Sequence, residues 1–251
     1  MECPRCFYVD NKLGTARPPG YPFNLNNAVD ELLKKEFDIH RANGTQHPLA
    51  KAYGVQAVPF AHEKLNEWRD ALRHGISYHH PSTGLLVRGG IDDVWKDDTG
   101  ALIIVDYKAT SKNERIEVLD QEWHIGYKRQ MEVYQWLFRQ NGFQVNDTGY
   151  FVYANASKDR EAFDGKLEFE VTLVPYVGNP SWVEGTLTAI KQCLDSDVAP
   201  GPALDCDYCR YREAAGKALL NLQSTHGGAP KKETPASTKK NEEETATESL
   251  F

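Results

Sequence analysis

The apolar run Leu102-Ile103-Ile104-Val105 has no polar alternation, the pattern of a strand buried on both faces. It continues into Asp106-Tyr107-Lys108, and upstream Gly89 to Trp95 is also rich in β-branched and aromatic residues. The turn-forming stretch Lys96-Asp97-Asp98-Thr99-Gly100 lies between them, so the spacing predicts a β-hairpin of 89–95 and 102–110. From Gln121 to Asn141 the residues Trp123, Tyr127, Met131, Tyr134, Leu137 and Phe138 recur at intervals of three and four, the mark of an amphipathic helix. Gln130 and Tyr134 fall on its buried stripe, one turn apart. A second amphipathic run holds Leu25 to Leu33 and ends near His40 and Arg41. Tyr150 to Ala154 and Leu167 to Tyr176 read as strands, and Ser181 to Leu194 as a helix capped by Ser181. The expected fold class is α/β, a mixed central β-sheet flanked by helices.

From about Gln223 the composition shifts to Gly, Pro, Ser, Thr, Lys and Glu, which predicts a disordered tail over 223–251 after a folded domain over 1–222. With 40% hydrophobic residues, the 251-residue chain can bury a full core. No apolar stretch approaches the length of a membrane span, and Met1-Glu2-Cys3-Pro4 is no signal peptide. A cytoplasmic protein with no membrane partner is the expectation. A net charge of -7 argues against a surface coated with positive charge, so a nucleic-acid contact would need a local patch. Lys108, Lys112, Arg115, Lys128 and Arg129 are the candidates for it.

Asp106 and Lys108 are two apart and share one strand face, and the hairpin brings Asp92 beside them. An acid and an amine are costly to bury unless paired, and a divalent cation would be a suitable partner. Phosphodiester hydrolysis needs such a cation, held by one or two carboxylates, with a lysine to orient water or balance charge on the phosphate. An isolated Asp-x-Lys is as well read as a solvated ion pair at a hairpin rim. The buried Gln130 adds weight to the catalytic reading, because an amide on an apolar face must find partners.

In order, G-x-I-D at Gly89–Asp92, D-Y-K at 106–108 and Gln-x-x-x-Tyr at 130–134 resemble the RecB-like branch of the PD-(D/E)XK nuclease superfamily. The resemblance implies a restriction-endonuclease-like core and a DNA nuclease dependent on Mg²⁺ or Mn²⁺, exonuclease rather than endonuclease, acting in repair, recombination or defence. Asp92 and Asp106 would be metal ligands, Lys108 the catalytic lysine, and Gln130 with Tyr134 the pair that positions substrate, with Asp93 second to Asp92 for the ligand slot. The branch also places a ligand, often a histidine, on an upstream helix, and Asp30 occupies that slot here. A third carboxylate there suits Mg²⁺ or Mn²⁺. Asp30 is equally read as an acid near the positive end of its helix, with Glu31 and Glu36 as alternatives in a shifted register. Partners would be DNA and a helicase or another repair or defence protein, since no G-x-x-x-x-G-K-[ST] motif is present. The rival reading keeps the fold as a DNA-binding or scaffold module without turnover.

Cysteines give the other signal. Cys3-Pro-Arg-Cys6 and Cys206-Asp-Tyr-Cys209 are two C-x-x-C pairs about two hundred residues apart, sufficient for one four-thiolate metal site joining the N- and C-terminal segments. AddB-type and CRISPR-associated relatives in this branch carry a [4Fe-4S] cluster on one cysteine before the core and three after it. This chain departs from that pattern with two and two, and a Zn²⁺ site uses the same ligands. Cys193 is expected as a small core residue, Phe151 and Tyr153 as core, and His79-His80-Pro81 as a loop without a metal.

Overall fold

The computed structural model describes residues 2–18, 20 and 23–225. The chain divides into two compact units, Met1–Gly201 and Pro202–Phe251. In the first, the elements in chain order are α1 (Pro4–Asn11), α2 (Asn24–Asn43), α3 (Pro48–Ala52), β1 (Ala57–Pro59), α4 (Leu65–Arg69), β2 (Ile76–His79), β3 (Leu86–Gly89), β4 (Asp93–Asp97), β5 (Leu102–Thr110), α5 (His124–Gln140), β6 (Thr148–Ala156), β7 (Phe169–Val177) and α6 (Trp182–Asp195). The second unit contains α7 (Asp207–Thr225). Beyond Thr225 the expected tail lies outside the described residues.

The run 102–105 lies at the centre of a five-stranded sheet of order β1-β4-β5-β6-β7. All neighbours are antiparallel except β5 and β6, which are parallel and joined through α5. The sheet is therefore mixed and flanked by helices, the class that the periodicity predicts. Its two faces bury different clusters. Leu33 and Phe37 of α2 pack with Trp95, Ile103, Val105 and Tyr107, whereas Met131, Tyr134, Leu137 and Phe138 of α5 pack with Val94, Leu102, Ile104 and Phe151. Burial on both sides explains why β5 lacks alternation. Phe151 and Tyr153 are core, as expected.

The hairpin forms as β4 and β5, with Asp93 opposite Val105 and Lys96 opposite Leu102. The expected first strand is shorter than 89–95, however. Gly89 ends β3, which pairs with β2 in a separate two-stranded sheet. Residues 90–92 are held elsewhere: Ile91 N donates to Trp68 O at 3.1 Å and Arg69 Nε to Asp92 O at 2.9 Å. Asp92 thus immediately precedes β4, at the point where the hairpin strands part. Gly89 itself is required by packing, because a Cβ there would lie 2.6 Å from Tyr134 Cε1.

Two expectations need correction. Ser181 occupies the N-cap of α6, yet its side chain makes no capping hydrogen bond, because its own φ of −57° and ψ of −22° are helical rather than extended. Cys193 on α6 is only half-buried rather than core. His80 is buried as a structural group, with Nδ1 at 2.8 Å from Thr83 Oγ1 and Nε2 at 2.7 Å from Glu184 Oε2.

Candidate active site

Four elements converge at the C-terminal end of β5. Asn26 on the first turn of α2 donates Nδ2 to Ala109 O at 3.3 Å, which ties the helix start to that strand end. Asp30 follows one turn later, with Lys34 one turn beyond it at 2.7 Å from Asp30 Oδ2. Lys34 also reaches Asp92 Oδ1 at 3.4 Å, so one ammonium bridges carboxylates from α2 and from the β3–β4 link. Asp92 Oδ2 accepts from Tyr107 N at 2.8 Å. Just before β4 begins, this carboxylate satisfies the next donor of the hairpin ladder, and that fixes its place beside β5.

Asp106 is 2% exposed and its close ionic neighbour is Lys108, one residue pair along the same face. Its buried Oδ2 is the atom that meets the Lys108 ammonium. Burial, and then the charge of Asp92, push the Asp106 carboxyl up to about 7. Burial likewise raises Asp92, opposed by Lys34 and reinforced by Asp30. Lys108 Nζ donates to Gln130 Oε1 at 3.2 Å and lies 4.4 Å from the centre of the Tyr127 ring. Gln130 Nε2 in turn donates to Tyr134 Oη at 2.7 Å. Burial and the nearby Asp106 raise the Tyr134 hydroxyl well above its ordinary range, so it stays protonated. The amide on the apolar face is thereby satisfied at both ends.

Asp30, Asp92, Asp106, Lys108, Gln130 and Tyr134 are thus linked by contacts, and the alternatives are not. Asp93 is fully buried on the other side, where Val94 N, Arg41, Arg69, Trp95 Nε1 and Tyr107 Oη all donate to it. Five donors fill a carboxylate with about four lone-pair sites. Glu31 is exposed and pairs with Lys35 at 2.6 Å, and Glu36 pairs with His47 at 2.9 Å. Of the basic candidates, Arg115 makes ion pairs with Glu117 and Glu170, Lys128 lies over the Tyr176 ring, and Arg129 lines a cavity of about 600 Å³ beside Gln130 and Tyr134.

Sequence reasoning missed Lys34 and the Arg41–Asp38–Arg69–Asp93 network. Lys34 carried a usable signal, its four-residue spacing from Asp30 on one helix. Of the network only the three-residue spacing of Asp38 and Arg41 on α2 was readable; Arg69, the last residue of the short helix α4, and Asp93 join it through tertiary packing.

The carboxylates fit a hard divalent cation. The donors are oxygens only, and the buried Asp106 carboxylate has the charge of Asp92 set against it, a repulsion that a hard cation relieves. The cysteines form a separate group. Cys3 sits at the N-cap of α1 and Cys6 within it, Cys206 precedes α7, and Cys209 lies in its first turn. Each pair offers two thiolates, the donor type that suits Zn²⁺ or an iron–sulfur cluster. Among the described residues, no helix is long and apolar enough to cross a membrane.

A fold of this class with carboxylates and a lysine at one strand end is the setting of metal-dependent nucleases. Residues 22–214 match the family model of the PD-(D/E)XK nuclease superfamily, and the chain belongs to that family. Membership points to a metal-dependent nuclease that hydrolyses phosphodiester bonds. No curated protein matches the chain. Among solved structures, the one entitled "Crystal structure of SSO0001" is similar at 12% identity, covering 84% of this chain and 92% of that chain, with a TM-score of 0.30. At that score the likeness carries no argument.

Proposed function

We propose that this chain is a DNA nuclease of the RecB-like branch, working with Mg²⁺ or Mn²⁺ and degrading DNA from ends in repair, recombination or defence. Asp30, Asp92 and Asp106 would hold the ion, which supplies polarisation of the phosphoryl oxygen and a lowered pKa for bound water. The observation that carries the reading is the buried Asp106 carboxylate, with the charge of Asp92 set against it, paired with a lysine that Gln130 holds in place. Lys108 aligns the attacking water and balances charge accumulating on the phosphate. Gln130 fixes the position of the ammonium, Tyr134 fixes the amide of Gln130, and the Tyr127 face favours the charged amine. Arg17, Arg88 and Arg129 line the adjoining cavity and would take backbone phosphates of the substrate.

The nuclease domain is assigned to the folded chain expected over 1–222, whose last helix, α7, runs on to Thr225. Cys3, Cys6, Cys206 and Cys209 would hold one Zn²⁺ or [4Fe-4S] cluster, and a helicase or another repair or defence protein would deliver DNA, in a cytoplasmic setting. The test is incubation of linear and circular DNA, single- and double-stranded, with Mg²⁺, Mn²⁺ or EDTA, beside RNA of the same sequence. Cutting of linear DNA only with metal supports the reading. Binding without cutting under every condition would move the chain to the DNA-binding module instead. Iron and zinc analysis of the purified protein decides the occupant of the cysteine site.

A further inference from the structure

Past Thr110 the chain leaves the sheet and closes a cavity of about 610 Å³, lined by Lys112, Arg115, Trp123, His124 and Lys158 among others. The size falls in the range of about 300–1,000 Å³ typical of small-molecule sites. The wall is built rather than loose. Asn155 on β6 accepts from Lys112 N at 2.7 Å and donates to Lys112 O at 3.1 Å and Glu114 O at 3.3 Å, and Thr172 on β7 donates to Ile116 O at 2.9 Å. Lys158 Nζ donates to Ser111 O at 3.3 Å.

Trp123, at the N-cap of α5, is 47% exposed although it borders this cavity. Lys112 Nζ lies 5.7 Å from its ring centre. The Trp123 ring meets Tyr127 edge-to-face at 5.6 Å, and Tyr127 carries Lys108 over its face at 4.4 Å. An aromatic path therefore leads from Lys108 to the cavity in two short steps, a reach of two or three nucleotides at about 3.4 Å per nucleotide of a stacked strand. Next to Trp123, His124 is 2% exposed; its Nδ1 accepts from Gln121 N at 3.0 Å, while Nε2 is buried with no hydrogen-bond partner. Such a ring is a neutral donor without an acceptor.

We propose that this cavity is a subsite for one unpaired nucleobase of a DNA strand, stacked on Trp123, with flanking phosphates on Lys112 and Lys158. A base inside a duplex cannot enter it, so the strand engaged at Lys108 must be single or frayed at this position. The inference rests on the nuclease reading and deepens it by naming the substrate as an unpaired strand. Glu114, Glu117 and Asp120 also line the cavity and offset its three cations. Stacking rather than charge then carries the affinity of this subsite.

The test is equilibrium binding of fluorescent oligo-dT and of a closed DNA duplex in EDTA, across a salt series, with wild type, Trp123→Ala and Trp123→Phe. Expected is a loss of about 5- to 150-fold for oligo-dT in Trp123→Ala, the range of one lost base stack, with the salt slope unchanged and closed-duplex affinity within about twofold. Trp123→Phe, which keeps a ring, recovers most of the loss and excludes misfolding as its cause. Equal oligo-dT affinity in Trp123→Ala, an equal loss for closed duplex, or no oligo-dT binding by wild type overturns the subsite. Metal-dependent cutting measured on the same preparations separates the two claims. Wild type that binds through Trp123 but never cuts sinks only the nuclease reading; wild type that cuts while Trp123→Ala binds as well as wild type sinks only the subsite.

Discussion

Replacing Asp106 by asparagine should make the metal-free protein more stable above pH 7 while abolishing its function. The carboxyl is 2% exposed and is pushed from 3.8 up to about 7, first by burial and then by Asp92. Between those values the folded protein binds more protons at this site than the unfolded chain. Stability without metal therefore falls as pH rises from about 4 to about 7 and stays low above it. At about 1.4 kcal/mol per tenfold change in proton affinity, the raised carboxyl costs about 4 kcal/mol at pH 8. Asparagine has the same shape without the charge. Its amide, placed without designed partners, gives back about 1–3 kcal/mol, leaving a net gain of about 1–3 kcal/mol. For a chain of this size that is a rise of about 2–10 °C in Tm. Thermal melts in EDTA from pH 5 to 8.5 measure it. The gain should be present at pH 8 and shrink to nothing near pH 5, and Mn²⁺ should raise the Tm of wild type only. A variant that is less stable than wild type by the same amount at both pH values would refute the reasoning, because the buried charge would then carry no cost.

Lys34 competes with a cation for Asp30 and Asp92, so Lys34→Met should bind Mn²⁺ at least about tenfold more tightly by calorimetry, as expected from removing one positive charge a few ångströms from a divalent ion; equal or weaker affinity contradicts this. Asp93→Ala leaves Arg41 and Arg69 facing each other without their buried anion, and chemical denaturation should show a loss of about 3–5 kcal/mol. Gln130→Ala frees the Lys108 ammonium without touching a carboxylate; turnover should drop about 10- to 100-fold, the usual effect of losing a supporting contact, with KM for DNA little changed.

How much of this was legible in sequence depends on how local the cause is. The double-sided burial of β5 is encoded in residues 102–105 themselves, and the α5 stripe in its own spacing. Both were readable, as was the convergence of Asp106, Lys108, Gln130 and Tyr134. The limits of β4 were not, because what stops the strand at Asp93 is the grip of Trp68 and Arg69 on residues 91 and 92. Asp92 is placed ahead of Asp93 by the Gly89-Gly90-Ile91 that precedes it, and the five donors packed around Asp93 are the physical difference between the two acids, which sequence does not display. The cavity beside Trp123 was likewise hidden, since its wall is pinned by Asn155 and Thr172 from later strands.

The most direct test of the central claim is single-turnover cleavage of end-labelled linear DNA in Mg²⁺, comparing wild type with Asp106→Ala and Lys108→Ala, each shown by its melting curve to be folded. The account predicts cutting by wild type that EDTA abolishes, and loss of at least about a hundredfold in each variant, the lower end of what positioned proton-transfer and charge-stabilising groups contribute. Cutting by either folded variant at the wild-type rate would contradict it, because Lys108 is the lysine paired with Asp106, whereas Lys34 pairs with Asp30 and Asp92.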